Sequence, residues 1–164
     1  AGPHKGELHR GSTREDRTRP PHGASITMTG SHAGLFGELF VDREMADAIS
    51  DRALLHGMLG FEAMLARALE AESVAPQGTA DAIAGQCDPD FYDIAELGRA
   101  ATLAGNPAIP LVKALTARVA AVAPEQAKWV HFGATSQDVI DSGHVHVIGC
   151  GLKLIDMRLV RLAG

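Results

Sequence analysis

The sequence predicts an all-α protein, built from helices joined by short turns. Aromatic residues make up only 4% of the chain while Ala and Leu abound, so the core must be assembled from Leu, Ala, Val and Ile. Between Leu54 and Leu69, apolar residues recur at helical spacing. Asp, Ser, Pro and Gly stand between such stretches, where helices are expected to start and stop. At 164 residues, the chain holds one domain with a modest core.

The elements follow in order. Residues 1–27 are rich in Arg, His, Gly and Pro, with almost nothing apolar to pack, and read as a disordered extension ahead of a sensible start at Met28. Residues 28–164 are expected to form the folded domain. Asp42 can cap a helix running through Ser50. Ser50 or Asp51 opens a longer one, whose stripe comprises Leu54, Leu55, Met58, Leu59, Phe61, Met64, Leu65, Ala68 and Leu69. Thr79–Gln86 is a short helix at best. Asp88-Pro89 places a cap before proline and predicts a helix to about Ala104, with Gly105 as its C-cap. Asn106-Pro107 and Ile109-Pro110 predict extended backbone, then a helix over Leu111–Ala123. Pro124 restarts a short turn towards Trp129.

The final helix is expected from Ser136 onward. Gly143, Gly149 and Gly151 fall inside it, each costing about 1 kcal/mol relative to alanine. A kink or frayed stretch is therefore expected between Gly143 and Gly151. Beyond it Leu152, Ile155, Leu159 and Leu162 share one face.

Composition narrows the function. A formal net charge of −5 argues against nucleic acid, which requires a basic face. No apolar run approaches the roughly 18 residues of a membrane span. Two cysteines make no disulfide framework and suit a reducing cytoplasm. His144 and His146 lie two apart, about 200° around a helix, and cannot chelate one ion; no metal is expected.

The segment HFGATSQDVIDSG, His131–Gly143, is the most informative. A glycine-loosened turn delivers Thr135 and Ser136 to a helix start, with Asp138 at capping-box spacing. Unpaired N–H groups, hydroxyls and the positive end of the helix dipole suit an anion, most naturally a substrate carboxylate. The same residues describe an ordinary capped helix. Asp138 reads as the structural cap, since its charge would repel an anion. His131 is either a donor or general acid, or a hydrogen-bonded packing residue. Asn106 either stiffens a connector or presents its amide to a ligand.

With these residues in place, the chain resembles the fumarase/aspartase superfamily, and within it the 3-carboxy-cis,cis-muconate cycloisomerases. The resemblance runs from about Leu35 to Ser142. It is carried by LFGELFVDREMADAISD, GFEAMLARALEAE, CDPDFYDIAELGRAATLAGNPAIPLVKAL and WVHFGATSQDVIDSG. GNPAIPLVKAL sets it apart from adenylosuccinate lyases. The resemblance implies the N-terminal helical domain and the start of a long-helix bundle. It implies that Thr135 and Ser136 hold a substrate carboxylate, with Gln137 and Asn106 close by. The implied reaction is addition and elimination beside a carboxylate: lactonization of a tricarboxylate, 3-carboxymuconate, in protocatechuate degradation, with no cofactor. Family members assemble as tetramers, so a homo-oligomer is expected. The second and third signature regions, which carry the acid/base residues, find no match here. No catalytic residue is therefore assigned, and the chain alone is expected to be an inactive fragment. The alternatives are a non-catalytic helical module that binds a small dicarboxylate or a partner, and a lyase releasing fumarate from adenylosuccinate or a similar compound.

Overall fold

The computed structural model describes Gly2 and residues 41–164. The extension over residues 1–27, the start at Met28 and the beginning of the resemblance at Leu35 lie outside the described residues. Six α-helices and two short 3₁₀ turns follow, with no strand among the described residues. They are α1 (Arg43–Ala48), α2 (Asp51–Ala71), α3 (Thr79–Ala84), α4 (Ile94–Ala104), α5 (Ala108–Val122) and α6 (Ser136–Ala163), with the 3₁₀ turns at Pro89–Phe91 and Ala127–Trp129.

The caps explain the boundaries. Asp42 and Ser50 accept from the N–H groups of Met45 and Ala53, which starts α1 and α2 separately. The single helix expected from Pro89 to Ala104 is split. Asp88 accepts from the N–H of Asp90 and caps only a 3₁₀ turn, after which Tyr92 is extended (φ −124°, ψ 134°). Its hydroxyl donates to the Gln86 carbonyl at 2.7 Å, and Asp93 then caps α4 through the N–H of Glu96. Two cap signals five residues apart made two elements.

Helix α5 begins three residues earlier than expected. The Asn106 Oδ1 accepts from the N–H of Ala108 at 2.8 Å, and Pro110 lies in the first turn. Proline is tolerated there because first-turn N–H groups have no intrahelical acceptor.

The core is the meeting of α2, α3, α5 and α6. Leu55, Met58, Leu59, Ile83, Leu111, Leu115, Val119 and Val139 are buried in it. Each fully buried Leu or Ile contributes about 1.5–3 kcal/mol. The buried stripe of α2 differs from the expected one. It comprises Leu55, Gly57, Met58, Leu59, Glu62 and Ala66, while Met64 and Ala68 are exposed.

Helix α6 is continuous over 28 residues, against the expected kink. Of its glycines, Gly143 lies where a side chain would not fit. A Cβ on Gly57 would stand 3.0 Å from the Gly143 Cα, and one on Gly143 would stand 2.7 Å from the Met58 Cγ. Tertiary contact offsets the propensity cost of Gly143. Gly151 is buried against Met45 and Ile49, whereas Gly149 has open space beside it. The last turns of α6 are exposed, Leu152, Ile155, Leu159 and Leu162 included. Arg158 ties this end to Asp42 and Glu44.

Candidate functional site

The turn between the second 3₁₀ element and α6 is built from two left-handed residues. His131 has φ 57° and Gly133 has φ 78°. Glycine adopts that conformation freely; histidine does so at a cost and needs a reason. The reason is Glu62. Its Oε2 accepts from the His131 backbone N–H at 3.0 Å, and its Oε1 lies 2.7 Å from the His131 Nδ1. The Glu62 side chain is 0% exposed and that of His131 17%. A carboxylate from the middle of α2 thus fastens the approach to α6.

Burial pushes the Glu62 carboxyl above its ordinary value, against the opposing pull of its hydrogen bonds and charge contact with His131. The same buried charge, with desolvation the larger cause, raises the Cys87 thiol to about 12. Glu62 escaped the sequence reading, although a signal was present. It lies at i+3 from Leu59 and i−4 from Ala66, on a buried stripe. An acidic residue on an apolar helical face demands a partner from elsewhere in the chain.

Beyond Gly133 the chain extends through Thr135 (φ −107°, ψ 159°) and enters α6 by a full capping box. The Thr135 Oγ1 accepts from the Asp138 N–H at 3.3 Å, while the Thr135 N–H and hydroxyl donate to Asp138 Oδ2 at 2.7 and 2.8 Å. These bonds hold the Asp138 carboxyl below its ordinary value, the backbone bond most, with a smaller contribution from the charge of His131. The Gln137 Nε2 donates to Asp141 Oδ1 at 2.5 Å. Ser136 is half-buried at the first helical position.

The structure therefore gathers His131, Thr135, Ser136, Gln137 and Asp138 on one turn. Asn106 is at the start of α5 with its Oδ1 occupied as a cap, and no hydrogen bond joins it to this turn among the described residues. Asp138 takes both donors of Thr135. A carboxylate guest would meet Ser136 and the first N–H groups of α6 in this arrangement, with the Thr135 hydroxyl available once it turns from Asp138.

Because the Asp138 carboxyl is depressed, the box is intact above the ordinary aspartate range and loosens as pH falls through the lowered value. Amide exchange at Asp138 is expected to quicken on acidification, relative to amides in the middle of α6. Asp138→Asn should abolish that pH dependence; an unchanged acid response in the variant would show that another group loosens the turn.

The histidines further along α6 are placed differently. His144 Nδ1 is 2.9 Å from the Ile140 carbonyl. His146 stacks obliquely on His56 of α2 with ring centroids 5.2 Å apart, and its Nε2 is 3.7 Å from the Cys150 Sγ. Both rings line an open cleft of about 860 Å³ with Asp47, Arg52, Cys87 and Asp90. Among the described residues, no three His, Cys, Asp or Glu side chains are placed to hold a metal ion.

No family model matches the chain. It is similar to the 3-carboxy-cis,cis-muconate cycloisomerase of Pseudomonas putida, with 45% identity over 129 residues, covering 79% of this chain and 31% of that protein. It is 37% identical over 131 residues to a nitrosuccinate lyase of Streptomyces davaonensis, covering 80% of this chain and 28% of that protein. The crystal structure of the 3-carboxy-cis,cis-muconate lactonizing enzyme from Pseudomonas putida superposes with a TM-score of 0.76 at 44% identity, covering 79% of this chain and 29% of that one. The chain spans about 30% of the length of the curated relatives it matches.

Proposed function

We propose that this chain, related to the 3-carboxy-cis,cis-muconate cycloisomerases over about 30% of their length, carries one limb of a cycloisomerase-type site. That limb binds a carboxylate of the substrate. The observation that supports the reading most is 45% identity to such an enzyme across a stretch that folds into the same helical arrangement. Ser136 and Thr135 supply hydroxyl donors, and the first turn of α6 supplies N–H groups and the positive end of its dipole. Gln137 and Asn106 contribute amides at the margin of the site. The substrate class is a di- or tricarboxylate such as 3-carboxymuconate, and lactonization draws its acid/base groups from beyond the residues assigned here.

Self-association fits the same reading. Val145, Ile148, Leu152, Ile155, Leu159 and Leu162 of α6 are all exposed, an apolar surface that another long helix can cover.

The test is a binding titration of the full chain with 3-carboxymuconate, followed by the amide shifts of residues 131–138. Saturable shifts confined to this turn are expected, with Thr135→Ala plus Ser136→Ala weakening binding at least about tenfold, as loss of charge-assisted hydrogen bonds implies. Shifts elsewhere, or binding indifferent to both substitutions, would sink the proposal. The similarity to a nitrosuccinate lyase favours a second reading, in which a substituted succinate loses its substituent from one carbon and a proton from the next to leave fumarate. Preference for a succinyl compound over 3-carboxymuconate in the same titration decides for it.

A further inference from the structure

The buried pair Glu62–His131 has a consequence for the turn it fastens. Both oxygens of Glu62 are engaged by one residue, its backbone N–H at 3.0 Å and its ring Nδ1 at 2.7 Å. An ionised carboxylate only accepts hydrogen bonds. The Nδ1 facing it must therefore carry the proton, and in the neutral ring the lone pair is left on Nε2. Among the described residues Nε2 has no hydrogen-bond partner, while the ring remains 17% exposed. His131 lies four residues before Thr135, on the turn that leads into α6, and its charge adds to the lowering of the Asp138 carboxyl. The groups facing the pair are Cys87, which follows α3 and feels the charge of Glu62, and Asp138 of α6.

We propose that Glu62 is a positioning residue for the carboxylate site: it locks His131 in the left-handed conformation and in the Nδ1–H tautomer, so that Nε2 is presented to the ligand. Nε2 can then take up a proton and donate it as a hydrogen bond to the bound carboxylate, with the resulting imidazolium stabilised from behind by Glu62. The arrangement separates two duties. Ser136 offers a hydroxyl donor and Thr135 one once it turns from Asp138, while His131 offers one that depends on protonation. The inference rests on the carboxylate reading of the turn for its purpose, but its geometric core is tested without a ligand.

The measurement is the ¹⁵N spectrum of the neutral imidazole of His131 in the full chain, which reports the ring nitrogen that carries the proton. The wild type is expected to show the Nδ1–H tautomer. In Glu62→Gln the carboxamide NH₂ can donate to Nδ1, and the ring is expected to shift to Nε2–H. An Nε2–H ring in the wild type would overturn the proposal, because it requires Glu62 to be the donor. So would an unchanged tautomer in a folded Glu62→Gln protein. The tautomer tests the pairing itself, and the ligand titration separates a positioning role from a purely structural one.

Fumarate serves as the ligand probe. Glu62→Gln is expected to weaken it about tenfold near neutral pH and to flatten the pH dependence of its affinity, as loss of one charge-assisted bond requires. Equal affinity and an equal pH profile in the two proteins would overturn the positioning role. Should the wild type bind neither fumarate nor 3-carboxymuconate, the carboxylate reading fails by itself, and the tautomer still decides what Glu62 does to His131.

Discussion

Replacing Glu62 by alanine is expected to cost about 2–4 kcal/mol of folding stability, the sum of a cavity in a packed core and an N–H left without an acceptor. Glu62 is 1% exposed as a residue, and its two oxygens hold the backbone N–H and the Nδ1 of His131. The left-handed backbone of His131 then loses what holds it, and the turn into α6 is released. Chemical denaturation checks the magnitude, and amide exchange at residues 131–136 checks the location. A variant as stable as the wild type would show that the pair is dispensable to the fold.

The pH dependence of that stability has a definite sign. Burial raises the Glu62 carboxyl above its ordinary value near 4.5. The folded chain therefore holds this proton more tightly than the unfolded chain, and the linked stabilisation is fully present below that ordinary value. It is lost as pH rises through the raised one. Glu62→Gln lacks the proton, so the wild type should gain relative to it on acidification across that window. Asp138 works in the opposite sense at the far end of the same turn, which is why the two variants must be titrated separately.

Gly57→Ala is expected to cost about 1–3 kcal/mol, the usual penalty for forcing extra volume into a close-packed contact. The new Cβ would stand 2.8 Å from the His146 Cβ, 3.0 Å from the Gly143 Cα and 3.1 Å from the Gly143 carbonyl oxygen. Two of those three atoms are backbone, so the α2 and α6 axes must part to relieve the clash. Gly143→Ala should cost less, because its nearest neighbours are the side-chain atoms Met58 Cγ and Leu54 Cδ1. Gly149→Ala, with nothing within 4 Å of its Cβ, should stabilise by up to about 1 kcal/mol through helix propensity alone. Thermal unfolding of the three variants gives the order. Equal losses at Gly57 and Gly149 would mean that propensity, not the crossing, sets the effect.

The local code was legible wherever one residue decides one cap. Asp42, Ser50, Gly105 and Thr135 stand at helix ends where their chemistry places them. It failed where two local signals compete. Asp88 and Asp93 can each start a helix, and the choice fell to Tyr92, whose hydroxyl reaches back to Gln86. It failed again at Pro110, because the Asn106 cap moved the helix start upstream and turned an apparent breaker into a first-turn residue.

The sequence by itself determined an all-α chain, the order of its helices, and the turn on which Thr135, Ser136, Gln137 and Asp138 are adjacent. Those features are governed by neighbours within one or two helical turns, and neighbours are what a sequence lists. Only the tertiary structure decided that Gly57 of α2 and Gly143 of α6 make a helix crossing, and that Glu62 holds His131 from sixty-nine positions away. Both depend on which faces of α2 and α6 meet. A buried carboxylate and a hydrogen side chain acquire their meaning from the atoms that a distant part of the chain brings within 3 Å.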